Sequence, residues 1–299
     1  MTGPGRARPV TVIGDVAVDI VARHGEPLRV GTDTAATVRQ RGGGAGANVA
    51  AWLAHLGVPT TLVGRVGADA AGRTQDAELS ALGVRCALAV DPELPTGCVV
   101  VLVGPDRERT MLPDRGANLR LTADDVPPLP PGGHLHVSGY TLLHPGPRPA
   151  GLAALAAARR SGVSVSVDPA SAAPLVEVGP AAFLDWTSGA DLLLPNLSEA
   201  RVLSGQEDPR HAARWLARHF GAVVISLGAD GALWAAGGET ALVPAAHAEQ
   251  VLDTTGAGDA LTAGVLASWV TGVSGPTAVR RGTEMAAAAI GVLGARPVR

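Results

Sequence analysis

Residues 253–260 read Asp253-Thr254-Thr255-Gly256-Ala257-Gly258-Asp259-Ala260 and run directly into an apolar stretch. Small residues let the backbone approach a ligand closely, and the first amides of a helix starting here have no partners inside it. With the positive end of the helix dipole, Gly256, Ala257 and Gly258 can form a hole for an anion such as a phosphate. A carboxylate beside such a hole is a poor phosphate ligand. It is well placed, however, to take a proton from a nucleophile attacking one, which makes Asp259 a candidate base. A close-packed helix cap would also produce Gly-Ala-Gly-Asp.

Other stretches carry comparable residue types. Gly42-Gly43-Gly44-Ala45-Gly46-Ala47-Asn48 combines close backbone approach with a side chain that both donates and accepts hydrogen bonds. An ordinary strand-to-helix turn would use the same glycines. Gly42-x-Gly44-x-x-Ala47 resembles a weak dinucleotide fingerprint, but that belongs directly after the first strand, and here about 28 residues intervene. A nicotinamide-dependent oxidoreductase is therefore set aside. Asp19 offers a carboxylate suited to two hydrogen bonds from a diol, or simply a solvated strand residue. Asn196 and Glu199, three apart at a helix start, can face one site, and Glu199 can hold Mg²⁺ through its waters. An ordinary acidic first turn has the same appearance. Ser226, Gly228 and Gly231 follow a strand and either clear space for a nucleotide or make a plain hairpin turn.

Composition narrows the classes. The 299 residues, 46% hydrophobic, can bury a substantial core, and a net charge of −3 gives no broad basic field for nucleic acid. No run approaches the ~18 apolar residues of a membrane span. Residues 1–9 are polar and lack an apolar signal core, so a cytoplasmic protein is expected. Two cysteines, Cys86 and Cys98, suggest neither a disulfide framework nor a zinc cluster. All 24 basic residues other than histidine are arginine. That excludes a Walker A loop and a lysine Schiff base, leaving phosphate chemistry to amides, arginine or metal.

These residues need elements to hold them. A first strand at 9–14 precedes strands within 15–37, and a helix is expected at 49–56 behind the glycine run. Short apolar strands at 60–63, 84–90, 134–138, 163–167, 192–194 and 223–226 then alternate with helical patterns at 68–82, 150–161 and 209–220. Such alternation predicts a parallel sheet covered by helices on both faces. The stretch 96–112 interrupts the rhythm: apolar runs flank Gly104-Pro105-Asp106, a hairpin signal without a helix. With 15–37 it predicts a small separate sheet. His134 and His136 share a strand face and read as structural; Trp52, Trp215 and Trp269 read as core.

Four of these features occur in the order that identifies the chain as resembling the ribokinase-like (PfkB) carbohydrate kinases over essentially its full length. Gly43, Gly44 and Asn48 fit that family's Gly-Gly-x-x-x-Asn segment, and Asn196 and Glu199 its Asn-x-x-Glu motif. Ser226, Gly228 and Gly231 fit its glycine turn, Asp253 through Asp259 its signature, and Pro95-Thr96-Gly97 the start of a lid strand. The resemblance implies an α/β three-layer sandwich with a mostly parallel sheet: one kinase domain over 1–299, with lid segments near 15–41 and 96–113. It implies ATP and Mg²⁺ as cofactors, with Asp259 as base and Gly256, Ala257 and Gly258 as anion-hole amides. Asp19, Gly43, Gly44 and Asn48 would grip a sugar-like acceptor, Asn196 and Glu199 would manage metal and phosphates, and Ser226, Gly228 and Gly231 would border the nucleotide. Asp253 and Thr255 match residues that hold K⁺ in some relatives, and a homodimer through the lid is a further expectation.

The acceptor side departs from ribokinase itself. Ala45 stands where ribokinase has lysine, and Ser138-Gly139-Tyr140 where it has a glutamate. Arg115 suits a carboxylate on an acid sugar such as 2-keto-3-deoxygluconate. A nucleoside acceptor would need an aromatic platform, for which Tyr140 and Trp52 are candidates. An inactive sugar- or nucleotide-binding relative is the alternative outside catalysis, against which the intact Asp259 and Glu199 weigh.

Overall fold

The computed structural model describes residues 7–106 and 108–298; of the polar segment 1–9, residues 1–6 lie outside it. In chain order the strands are β1 (Val10–Ile13), β2 (Ala17–His24), β3 (Ala36–Gly43), β4 (Thr60–Gly67), β5 (Arg85–Asp91), β6 (Gly97–Val103) and β7 (Arg109–Asp114). They continue as β8 (His134–Ser138), β9 (Ser164–Asp168), β10 (Leu192–Leu193), β11 (Ala222–Ser226), β12 (Ala232–Ala236) and β13 (Glu239–Val243). One sheet runs β13-β12-β11-β10-β9-β8-β1-β4-β5 and the other β3-β2-β6-β7.

The large sheet is parallel from β11 to β5, and the hairpin β12–β13 extends one edge antiparallel. Its strands read as continuous apolar runs because both faces are covered. In β11, Ala222 and Val224 pack with the helices Ala45–His55, Ala257–Trp269 and Gly275–Ile290, whereas Val223 and Ile225 pack with Arg148–Ser161 and Pro209–Leu216. Each fully buried Leu or Phe, such as Phe183 or Leu193, contributes about 1.5–3 kcal/mol by leaving water.

β1 lies between β4 and β8, so successive crossovers leave it in opposite directions. The ends of β1, β8, β9, β10 and β11 then open on one crevice, where ligands of such sheets gather. Gly14, Ser138, Asp168, Asn196 and Ser226 all lie at those ends.

The alternation and the separate small sheet predicted from the sequence are present. The helix expected at 49–56 instead begins at Ala45, because alanine and glycine gave its first turn no apolar signal. Helices Ala172–Val178, Pro180–Thr187 and Gly275–Ile290 were not anticipated. Trp52 is in the core, while Trp215 and Trp269 pack against its rim. His134 bonds Ser164 and Ser166 at 2.8 Å each, and burial holds both His134 and His136 neutral, pushed down to about 3.

Candidate active site

Gly256 takes a left-handed conformation (φ 76°) as the cap of helix Ala257–Trp269, and no side chain caps that N-terminus. A Cβ on Gly256 would stand 2.7 Å from Ala295, so only glycine permits this turn. Gly258 has open space around it. The hole anticipated at Gly256, Ala257 and Gly258 is thus a glycine-capped helix N-terminus. Asp259, in the first turn, accepts a 2.8 Å hydrogen bond from Asn48 Nδ2. Burial pushes its carboxyl well above the usual range; the Asn48 donor opposes this, and Asp168, Asp15 and Asp19 reinforce it. A raised value makes a carboxylate a stronger proton acceptor than an exposed one.

Asn196 and Glu199 form a reciprocal capping box on helix Leu197–Ser204, with both backbone bonds at 2.9 Å. The plain helix-start explanation therefore holds. It does not exhaust the pair, because Asn196 and Glu199 line a cavity of about 130 Å³ with Asp168, Ser226, Gly258 and Asp259. Burial pushes the Glu199 and Asp168 carboxyls upward, and each also feels neighbouring negative charge.

Asp168 was missed from the sequence. It follows a short strand and precedes Pro169, a context that reads as a turn; its position at a parallel-strand end was the available signal. Ala170 N–H donates to it at 2.7 Å from a left-handed conformation (φ 70°) unusual for alanine. That strain costs about 1–2 kcal/mol and fixes the carboxylate.

The glycine run also has a steric explanation. A Cβ on Gly43 would meet the Asp19 carboxylate at 2.3 Å; one on Gly44 (φ 91°) would meet the Asp15 carbonyl at 2.5 Å. Asp19 is buried, and burial raises its carboxyl to about 6 against the pull of Arg296. It lies on the face of β2 that carries Val21 and Arg23, opposite Thr37, Arg39 and Arg41 of β3. That face lines adjoining cavities of about 580 and 300 Å³, closed on the other side by residues 251–255 and by Leu293 and Gly294. Among the described residues, Arg23, Arg39 and Arg41 form no ion pair.

Arg109 of β7 reaches across the same cleft. It donates to Thr255 Oγ1 at 2.6 Å and to Thr254, and stands 3.6 Å from Asp253. Asp253 in turn accepts from the Thr255 amide and hydroxyl and from the Gly294 amide.

The turn after β11 is a hairpin turn. Gly228 and Gly231 have positive φ, and a Cβ on Gly231 would stand 2.1 Å from the Val243 carbonyl; only Ser226 of this motif borders the cavity with Asp259. Arg115 is mostly buried, 3.4 Å from Asp15 and with its guanidinium 3.8 Å from the Tyr140 ring centre. Trp52 is buried and bonds the Ala295 carbonyl. Neither ring is left as an open platform.

Residues 7–298 match the pfkB family of carbohydrate kinases. The chain is 32% identical to a fructokinase of Klebsiella pneumoniae over 86% of its own length and 83% of that protein. It is 29% identical to a 2-dehydro-3-deoxygluconokinase of Bacillus subtilis over 82% and 79%. The structure of adenosine kinase from Sinorhizobium meliloti superposes with a TM-score of 0.88 at 26% identity, covering 99% of this chain and 97% of that one. The chain belongs to the PfkB carbohydrate kinases and has their ribokinase-like fold, as the sequence resemblance implied. It is accordingly an ATP-dependent phosphotransferase that acts on an alcohol group. Among the described residues no helix is long and apolar enough to cross a membrane.

Proposed function

We propose that the chain transfers the γ-phosphate of ATP to a hydroxyl of a small sugar or sugar acid in the crevice between Asp19 and Asp259. Asp259 takes the hydroxyl proton as the acceptor oxygen bonds to phosphorus. The bond from phosphorus to the bridging oxygen of ADP breaks, and the amides of Gly256, Ala257 and Gly258 bind the oxygens that carry the charge. The observation that carries this reading is the Asn48–Asp259 hydrogen bond: it joins the glycine run to the signature helix and fixes a carboxylate in the first turn of a helix whose N-terminus no side chain caps.

Asp168 and Glu199 fit a divalent ion bound through water. Among the described residues no cluster of three or more potential ligands is placed to hold a metal, so Mg²⁺ would arrive with the phosphates, its usual habit. When bound it neutralises phosphate charge. A cavity of about 400 Å³ between residues 246–250 and helix Gly275–Ile290 adjoins the signature loop and suits the nucleoside end of ATP. Ser226 borders the smaller cavity with Asp259 instead, and Gly228 and Gly231 shape the hairpin turn without lining either cavity. Asp253 and Thr255 do not fit K⁺: three hydrogen bonds engage the carboxylate, and the Arg109 guanidinium faces it. No role for K⁺ is proposed.

Arg23, Arg39 and Arg41 favour an acceptor with an acidic group over a neutral one. The covered faces of Tyr140 and Trp52 weigh against a nucleoside. The other face of the small sheet, with Ile20, Ala22, Val38, Val100, Leu102 and Leu112, is apolar and partly exposed. It supports pairing with a second copy of the chain, β2 and β6 lying at the centre of the patch.

The test is ADP release with Mg²⁺ over pentoses, hexoses, sugar acids, sugar phosphates and nucleosides, with Asp259→Asn as the blank. Turnover of a sugar acid that vanishes in the variant supports the reading. A neutral nucleoside as the best acceptor overturns the acceptor assignment, and undiminished turnover by Asp259→Asn removes Asp259 as base.

A further inference from the structure

Arg296 lies beside the proposed reacting groups although its local sequence marks nothing. Residues 294–296 thread past the glycine loop: the Gly294 amide donates to Asp253 at 3.1 Å and the Ala295 carbonyl accepts from the Trp52 indole at 2.9 Å. The Arg296 side chain, 8% exposed, follows inward. Nη2 donates to the Gly43 carbonyl at 2.8 Å, and Nε to Asn48 Oδ1 at 3.3 Å. Nη1 has Glu78 at 3.8 Å but no hydrogen-bond partner. The guanidinium also fills the place of a side chain at Gly42, where a Cβ would stand 2.3 Å from Nη1. Burying such a cation without pairing every donor opposes folding, and an apolar side chain of similar volume would serve stability better.

Donor and acceptor chemistry says what the cation does there. Arginine only donates, so Asn48 must turn its Oδ1 toward Arg296. The other end of the amide, Nδ2, only donates, and it meets Asp259 Oδ2 at 2.8 Å. That oxygen must accept, which leaves Asp259 Oδ1 for the acceptor hydroxyl. We propose, resting on the kinase reading above, that Arg296 is a positioning residue: it sets the polarity of the Asn48 amide and through it fixes the Asp259 carboxylate. Without Arg296 the Oδ1 end of the amide loses its anchor, so the side chain is free to swing and the Nδ2–Asp259 bond no longer holds the carboxylate in one place. Asp15, Asp19 and Asp168 surround Asp259 with like charge, which drives an untethered carboxylate from its place.

The experiment compares Arg296→Met, Arg296→Lys and Gly42→Ala, the last chosen because it expels Nη1 without touching a reacting atom. Arg296→Met is expected to lower kcat about 10–100-fold, the scale of a small misplacement of a reacting group, with KM for ATP nearly unchanged. Lysine, still a donor-only cation, recovers part of the loss, and Gly42→Ala reproduces it. In an Asn48→Ala background Arg296→Met has no further effect. Equal losses in both backgrounds, or lysine no better than methionine, overturn the proposal. A second measurement needs no acceptor: the NMR signals of the Asn48 side-chain amide, located by their loss in Asn48→Ala. They shift in Arg296→Met and hold in Arg296→Lys; signals unmoved in Arg296→Met overturn the proposal. A wild type inert on every acceptor rejects the kinase reading, and the amide signals still decide the role of Arg296.

Discussion

The two sheets supply opposite kinds of polar surface to one crevice. Along the end of the large sheet three carboxylates are tied down: Asp259 by Asn48, Glu199 by its capping box, Asp168 by the strained Ala170 amide. On the inward face of the small sheet Arg23, Arg39 and Arg41 are exposed and carry no ion pair among the described residues. Rigid carboxylates suit a reaction whose geometry is the same for every substrate. Exposed arginines on strands suit recognition of an acceptor that differs between relatives. On the proposed reading, chemistry is fixed on one side and selectivity is left adjustable on the other.

The largest effect should come from the rigid side. Asp259→Asn is expected to cost about 10²–10⁴-fold in kcat, the usual contribution of a positioned base, while ATP still binds; calorimetry and ADP release check both halves. Glu199→Gln keeps the capping box but removes the carboxyl proposed to face the phosphates. It should raise the Mg²⁺ concentration needed for half-maximal rate by about 10–100-fold, as loss of an outer-shell partner does. On the adjustable side, Arg39→Gln with Arg41→Gln should raise KM for an acidic acceptor about tenfold, the lower end expected for exposed hydrogen bonds to a charge. A neutral acceptor should be unaffected. Equal losses for both acceptors would erase the contrast between the sheets.

The smallest effect is on stability. Asp168, Glu199, Asp19 and Asp259 all have carboxyls raised in the folded state. Above the ordinary carboxylate range these four groups therefore bind more protons in the native protein than in the unfolded chain, and their contribution to stability falls as pH rises. Asp69, Asp91 and Asp253, shifted the other way, are already ionised in that window. His134 and His136, pushed down by burial, act in the opposite sense while the unfolded imidazoles lose their protons, up to about pH 7. The metal-free melting temperature should therefore drop by a few degrees between about pH 7 and 8.5, where Glu199 is still losing its proton. Glu199→Gln should flatten the drop, and a rising melting temperature would contradict the burial of these acids.

Sequence showed the rigid side better than the adjustable one, for a physical reason. Helix caps and close turns are local, so Gly256, Asn196 and Glu199 announce themselves within a few residues. The parallel sheet was readable from alternating apolar runs, although β10, two residues long, is barely a signal. Asp168 was hidden because Asp-Pro reads as a turn wherever it stands. Arg109 and Arg296 were invisible for a different reason: each reaches the signature loop or the glycine run across more than a hundred residues of chain. The arginines of β2 and β3 could not be assigned to one face until the register was known, since a shift of one residue reverses every side chain.

The central place of β1 bears on how the chain is made. Its partners are β4, from residue 60, and β8, from residue 134. Ribosomes add about 5–20 residues per second, so β1 is exposed for roughly 6–25 seconds before β8 exists to cover its second edge. A short segment that is wholly buried in the finished fold and waits that long is an obvious client for chaperones. The order of strands thus sets a delay during synthesis that no side-chain substitution in the active site can shorten.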